Sequence, residues 1–273
     1  MFYLLNRVLR DFSNWERPLR WTILSSLALL LILSLIILFG PYELRLPACI
    51  GAFRLIALSQ VAVMLAYRDM VSPLVKAQRY YLANDFEAAK TTLEELLRQG
   101  KADVRALTVL GNTYRQMGDL EASKAVLYEA LNKNPEHQFP LYGIGRTLLS
   151  EGRYAEAADA LSRALELGAP GGVRVDLAEA YFRMNQPERV TATLGAAGVS
   201  AFSGEPQRAL MAAYLLNQVG AAEPPLPDVV DAGLPYWRAV AERFRDTPYG
   251  AALMIDVRAM MNQGTDIYGK GES

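Results

Sequence analysis

Tyr80, Tyr114, Leu148 and Tyr181 stand 34, 34 and 33 residues apart, and their neighbours recur with them. Gly111 returns as Gly145, and Gly118 as Gly152. Leu93, Leu127, Leu161 and Leu194 form one column; Leu96, Ala130, Ala164 and Ala197 form another. Pro135 closes the second unit and Ala169-Pro170 the third. A period of this length constrains the fold more than any other feature, because it means one small supersecondary unit used repeatedly. Such a unit cannot bury its apolar face alone, so successive units must stack into a solenoid.

The unit reads as two antiparallel helices. In residues 104–137, Leu107, Leu110 and Tyr114 fall at helical spacing. Gly118-Asp119 then interrupts the helix with a residue tolerant of positive φ and a side chain suited to capping. Leu120, Val126, Leu127, Ala130 and Leu131 make the second face, and Gly111 and Ser123 are small where the two helices must approach. The runs LGNTYRQMGDLEASKAVLYEALNKNP and IGRTLLSEGRYAEAADALSRALELGAP resemble the tetratricopeptide repeat family. The resemblance extends over about residues 70–204, as four units at 70–103, 104–137, 138–170 and 171–204. The outer units depart from the pattern. The first has Ala77 and Asn84 in place of glycines, the fourth Ala178 and Asn185, with Pro187 where Leu120 and Tyr154 stand. Terminal repeats face solvent or a different neighbour, which relaxes their sequence.

In that family the first helix of each pair lines a concave groove. Carried over column by column, the resemblance implies a groove of Gln78, Tyr81, Arg105, Asn112, Arg115 and Gln116, continued by Phe139, Tyr142 and Arg146, then by Glu179, Phe182 and Arg183. Arginines interleaved with aromatics suit an extended acidic or carboxylate-ended peptide, since guanidinium groups bind two oxygens at once and rings supply apolar contact. The alternative is ordinary surface charge around a groove. Members that clamp a C-terminal carboxylate use Lys and Asn across adjacent repeats, and only Asn112 fits that pattern here. The expected partner is a protein or peptide.

The N-terminus belongs to a different solvent. Residues 21–39 read WTILSSLALLLILSLIILF, without one charge, and at about 1.5 Å per residue they match the ~30 Å of bilayer hydrocarbon. Gly-Pro-Tyr-Glu follows instead of a small-residue cleavage site, so the segment reads as retained rather than removed. Residues 47–67 form a second candidate span, carrying Arg54 and Gln60 as intramembrane polar contacts. A charge there costs about 2.5–3.5 kcal/mol, which the surrounding Leu, Ile, Val and Phe residues offset. The favoured reading is a two-helix hairpin; the other buries this stretch beneath the repeats. Residues 1–20 alternate Phe2, Leu5, Leu9, Phe12 and Trp15 with Arg7, Arg10 and Arg17, as either an interfacial helix or a solvated lead-in. The basic N-terminus should stay cytoplasmic in a bacterial-type cell membrane. Two spans then return the repeats to the cytoplasm, and one span leaves them outside. Leu46-Pro47-Ala48-Cys49 resembles a lipoprotein cleavage box, but its flanks are wrong, and Cys49 reads better as a membrane-buried thiol behaving as a small hydrophobe.

The expected fold class is therefore all-α: a transmembrane helix or hairpin, about four repeats, and a divergent helical cap over 205–263, before a disordered tail at 264–273. In the cap, 221–227 read as a stiff linker and 235–245 and 248–262 as a last helical pair. Trp237, Phe244, Met254, Met260 and Met261 are expected mainly in its core, with an exposed docking face as the alternative. A formal net charge of −1 gives no reason to expect nucleic acid. One Cys and one His leave no metal or cofactor framework. Catalysis would rest on His137 in an inter-repeat turn, so no enzymatic activity is expected.

Overall fold

The computed structural model describes residues 17–69, 72–195, 202 and 204–269, with side chains at 24–61, 72–195, 202 and 204–262. The lead-in at 1–16 lies outside these residues. The chain divides into two compact units, residues 1–72 and 73–273. Among the described residues every regular element is a helix.

The first unit is a helical hairpin of α1 (Arg17–Phe39) and α2 (Tyr42–Asp69). Gly40 closes α1: its N–H still reaches the Ile36 carbonyl at 2.8 Å, and a Cβ there would stand 2.5 Å from that same oxygen. Pro41 has no N–H to continue the ladder. The second helix starts at Tyr42, earlier than the expected Pro47, and takes Pro47 into its second turn. Gly51 lies against Leu33 across the pair and Ala48 is buried. Most of the remaining apolar side chains point outwards, among them Leu27, Leu31, Leu38, Leu46, Phe53 and Leu58. Within α2, the stretch Tyr42–Val61 is long and apolar enough to cross a membrane; the described side chains of α1 supply a shorter apolar run, Leu24–Phe39. Cys49 is exposed on this surface. Small Ala48 and Gly51, and not Cys49, occupy the helix contact.

The second unit stacks four helical pairs: α3 (Pro73–Leu82) with α4 (Phe86–Arg98), α5 (Val104–Gln116) with α6 (Leu120–Lys133), α7 (Gln138–Glu151) with α8 (Tyr154–Glu166), and α9 (Val173–Arg183) with α10 (Pro187–Gly195). The repeating columns have direct physical causes. At Gly111 an added Cβ would lie 2.5 Å from Leu127 Cγ, and at Gly145 2.6 Å from Leu161 Cγ. The glycine in the first helix makes room for the leucine of the second, and both leucines are fully buried. Turns between the paired helices need one residue at positive φ. Gly118 and Gly152 supply it at 85° and 84°, and Asn84 and Asn185 do so at 59° and 56° in the outer units. Asparagine is the side chain that tolerates this region best after glycine. Asp85, Asp103 and Asp119 then cap the following helices, accepting from Ala88, Ala106 and Ala122 N–H at 3.1, 2.8 and 3.0 Å. Between the second and third pairs, the fully buried Ser123 and Thr147 hydroxyls bond to each other at 2.9 Å.

Three helices complete the unit: α11 (Pro206–Gln218), α12 (Pro227–Arg243) and α13 (Pro248–Gly269). Helix α12 opens with Pro227 after extended Leu226, eight residues before the Pro235 start read from sequence. Pro235 leaves the Asp231 carbonyl without its helical donor, which is tolerable because both residues face solvent. Gly233 allows α12 onto α11, where a Cβ would meet Leu210 Cβ and the Pro206 carbonyl at 2.7 Å. Thr247 accepts from Gly250 N–H at 3.1 Å ahead of α13, which continues past Gly264 to Gly269. Trp237, Phe244 and Met260 are buried, Met254 half-buried and Met261 exposed.

Candidate binding groove

The first helices of the pairs, α3, α5, α7 and α9, carry the groove residues expected from sequence. The structure splits that set in two. At the first end, Gln78, Tyr81 and Leu82 of α3 face Val109 and Asn112 of α5 across a cleft of about 270 Å³. Leu82 is 79% exposed there. Arg105, on the first turn of α5, is exposed beside it. Gln116 donates to the Tyr81 hydroxyl at 3.4 Å.

The rest of the groove is occupied by the chain itself. Arg243, at the end of α12, bonds to Gln116 of α5 and lies 5.8 Å from the Phe86 ring at the start of α4. Arg146 of α7 donates to the Tyr236 hydroxyl of α12 at 3.2 Å and faces Asp176 of α9 at 3.6 Å. Tyr142 donates to Asp176 at 2.8 Å and accepts from Arg208 of α11 at 3.1 Å. Burial first, then the Asp176 charge, raises the Tyr142 phenol above its ordinary range, so it stays a donor. Phe139 remains largely open to solvent.

Further along, α13 inserts a carboxylate. Arg183 of α9 pairs with Asp256 of α13 and with Glu179 one turn back at 3.1 Å. The Tyr214 hydroxyl donates to Asp256 at 2.9 Å and that of Tyr249 to Glu179 at 3.4 Å. One guanidinium thus serves two carboxylates in nearly dry surroundings. Glu179 is fully buried. Desolvation pushes its pKa up to about 7, against the pull of Arg183 and with help from Asp176 and Asp256. Phe182 is half-buried and borders a second hollow with Asn185, Gln186, Pro187, Gln218 and Val219.

Gln78, Tyr81 and Asn112 are therefore brought together at an open cleft, whereas Gln116, Tyr142, Arg146 and Arg183 meet the chain's own last helices. Sequence reasoning missed Asp176, Arg208, Tyr236, Arg243, Tyr249 and Asp256. A signal for Asp256 was present. It lies within the apolar stripe Tyr249, Leu253, Val257 and Met260 of α13, all buried, and a carboxylate on such a stripe requires a buried cation opposite. Arg54 and Gln60 are exposed on α2 among the described residues. His137 caps α7, its Nδ1 accepting from Phe139 N–H at 3.3 Å. Among the described residues no three His, Cys, Asp or Glu side chains cluster as metal ligands.

Models of the tetratricopeptide repeat match residues 74–137, 108–172 and 148–214, so that together they span 74–214. Comparison with curated proteins gives no match. Among solved structures, the chain is similar to MamA, at 18% identity and a TM-score of 0.45, over 62% of this chain and 95% of that one. It is also similar to TTC0263, a thermophilic TPR protein of Thermus thermophilus, at 17% and 0.49 over 69% and 97%. A third is YrrB, a TPR protein with an unusual peptide-binding site, at 19% and 0.43 over 66% and 93%. The likeness is one of repeat architecture.

Proposed function

The chain belongs to the tetratricopeptide repeat family, and we propose that it is a membrane-anchored scaffold that receives a protein or peptide at the uncovered end of its groove, without catalysis of its own. The observation that carries this reading is the open cleft of Gln78, Tyr81, Leu82, Val109 and Asn112, set beside a concave face that α12 and α13 otherwise fill. A largely exposed leucine flanked by amide and phenol groups offers one apolar contact and several hydrogen bonds to an extended chain.

Membrane anchoring is supported by the outward apolar side chains of α1 and α2. Their number and continuity exceed what a water-exposed surface tolerates. With both helices crossing, the repeats stand on the cytoplasmic side, the side of the basic N-terminus. The hairpin then confines the cleft to the bilayer plane and raises the local concentration of what it meets.

Two experiments test the reading. A photoreactive residue at position 82, in native membranes, should capture a partner that the same residue at Tyr128, exposed on α6, does not. Equal capture from both sites, or none from 82, removes the cleft as the docking place. C-terminal fusions to GFP and to alkaline phosphatase should give fluorescence and no phosphatase activity; the reverse pattern means a single span.

A second reading, an integral subunit or assembly factor of a larger membrane complex, is favoured by the exposed Arg54 and Gln60 on an apolar hairpin, since intramembrane polar groups usually have partners. Arg54→Leu would then dissolve a detergent-stable complex while capture at position 82 continues.

A further inference from the structure

Buried guanidinium groups are ordinarily paired, because an uncompensated charge away from water is costly. Arg115, on the groove face of α5, is the exception here. It is 2% exposed, forms no ion pair among the described residues, and its Nε and Nη2 have no hydrogen-bond partner. These two nitrogens share one edge of the guanidinium plane, the edge that grips two oxygens of a carboxylate or phosphate in parallel. Desolvation is the largest influence on its charge, followed by the like charge of Arg146 and then by Tyr81, Tyr236 and Tyr142.

The surroundings repeat the same bias. Arg243, bonded to the adjacent Gln116, has no carboxylate partner among the described residues either. Asp176 is the acid that faces Arg146, and it is already engaged by Tyr142. The hydroxyls of Tyr81 and Tyr236 accept from Gln116 and Arg146, so each keeps its own proton to donate. An unpartnered guanidinium edge thus lies within electrostatic reach of two phenols, Tyr81 and Tyr236, whose protons no carboxylate takes among the described residues. Asn112, one helical turn before Arg115 on the same face, lines the open cleft, which places the way in beside Tyr81.

We propose that Arg115 is the anchor of an oxyanion site, taking a single carboxylate or phosphate group between its Nε–Nη2 edge and the Tyr81 and Tyr236 hydroxyls. This rests on the groove reading only in that the cleft is the route of access; the anion site is tested without any protein partner. The expected ligand is a small acid or the acidic group of a longer one, and its charge compensates a buried guanidinium that no acid of the described fold pairs with.

The test is thermal unfolding of the full chain in detergent, with inorganic phosphate or succinate titrated against chloride at matched ionic strength. A saturable rise in Tm is expected with at least one of the two. Phosphate alone identifies a phosphate group, succinate alone a carboxylate, and both a general oxyanion site. Arg115→Met should fold at least as stably as the parent in chloride, since it removes an unpaired buried charge, and should bind at least about tenfold more weakly. Arg115→Lys keeps the charge but loses the two-pronged edge, and is expected to weaken binding too; it decides the matter if the Met variant does not fold. Arg163→Gln, exposed on α8 away from the groove helices, should leave the shift intact. No shift over chloride, or a shift that persists in the Arg115 variants, shows an adventitious ion only and overturns the site. Success or failure here is independent of capture at position 82, which reports on the partner alone.

Discussion

Glu179→Gln is the substitution with the most definite consequence. The parent carboxyl is fully buried among Arg183, Tyr249, Asp176 and Asp256. Its pKa is lifted from an ordinary 4.5 to about 7. Below about 4.5 both folded and unfolded chains hold this proton, and above about 7 neither does. Between the two, only the folded chain binds it, so stability falls as pH rises through the window. At about 1.4 kcal/mol per pH unit, the loss across the window is about 3 kcal/mol. Glutamine keeps the shape and abolishes the titration. Urea unfolding followed by circular dichroism from about pH 5 to about pH 8 should therefore show a declining parent and a nearly flat variant. At the alkaline end the variant should equal or exceed the parent. A parent curve that is flat or rising there, or a variant with the parent's slope, would refute the assignment of the proton to Glu179.

Other substitutions probe separate links of the structure. Arg183→Met leaves Glu179 and Asp256 together without their shared cation and should cost about 3–5 kcal/mol, most of it recovered when Glu179→Gln and Asp256→Asn are added; calorimetry of the single and triple variants decides. Gly111→Ala forces a methyl into the Leu127 side chain and should cost about 1–3 kcal/mol, against about 1 kcal/mol for Gly118→Ala, which meets no atom but sits at φ 85°. The reverse order in urea unfolding would refute the packing account. Asn84→Gly should be neutral or slightly stabilising at φ 59°, whereas Asn84→Ala should lose about 1 kcal/mol.

The repeats were legible because each column has a local cause. Gly111 and Leu127, or Gly145 and Leu161, are the two halves of one helix contact repeated every turn of the solenoid, so their spacing appears directly in the chain. Asn84 and Asn185 looked like lapses in that pattern, yet they preserve its backbone. The groove was legible only in outline. Column arithmetic puts Tyr142, Arg146 and Arg183 on the concave face but says nothing of what lies above them. Their partners come from α11, α12 and α13, which carry no repeat signature, and the Arg146–Tyr236 contact joins residues 90 apart. Pairings of that range follow from packing, and a periodic reading does not reach them. The start of α12 was missed for a simpler reason: Pro235 looked like a first residue, and an exposed mid-helix proline left no other mark.

The reach of α12 and α13 changes how such an array should come apart. In a solenoid whose units touch only their neighbours, each end frays independently and unfolding proceeds stepwise along a line. Here Arg243 ties the last helices to Gln116 and Phe86, and Asp256 and Tyr249 tie them to α9. Opening of α12 therefore breaks contacts with the first two pairs as well as with its own neighbours. Loss of that helix should be felt at Phe86, more than one hundred residues away.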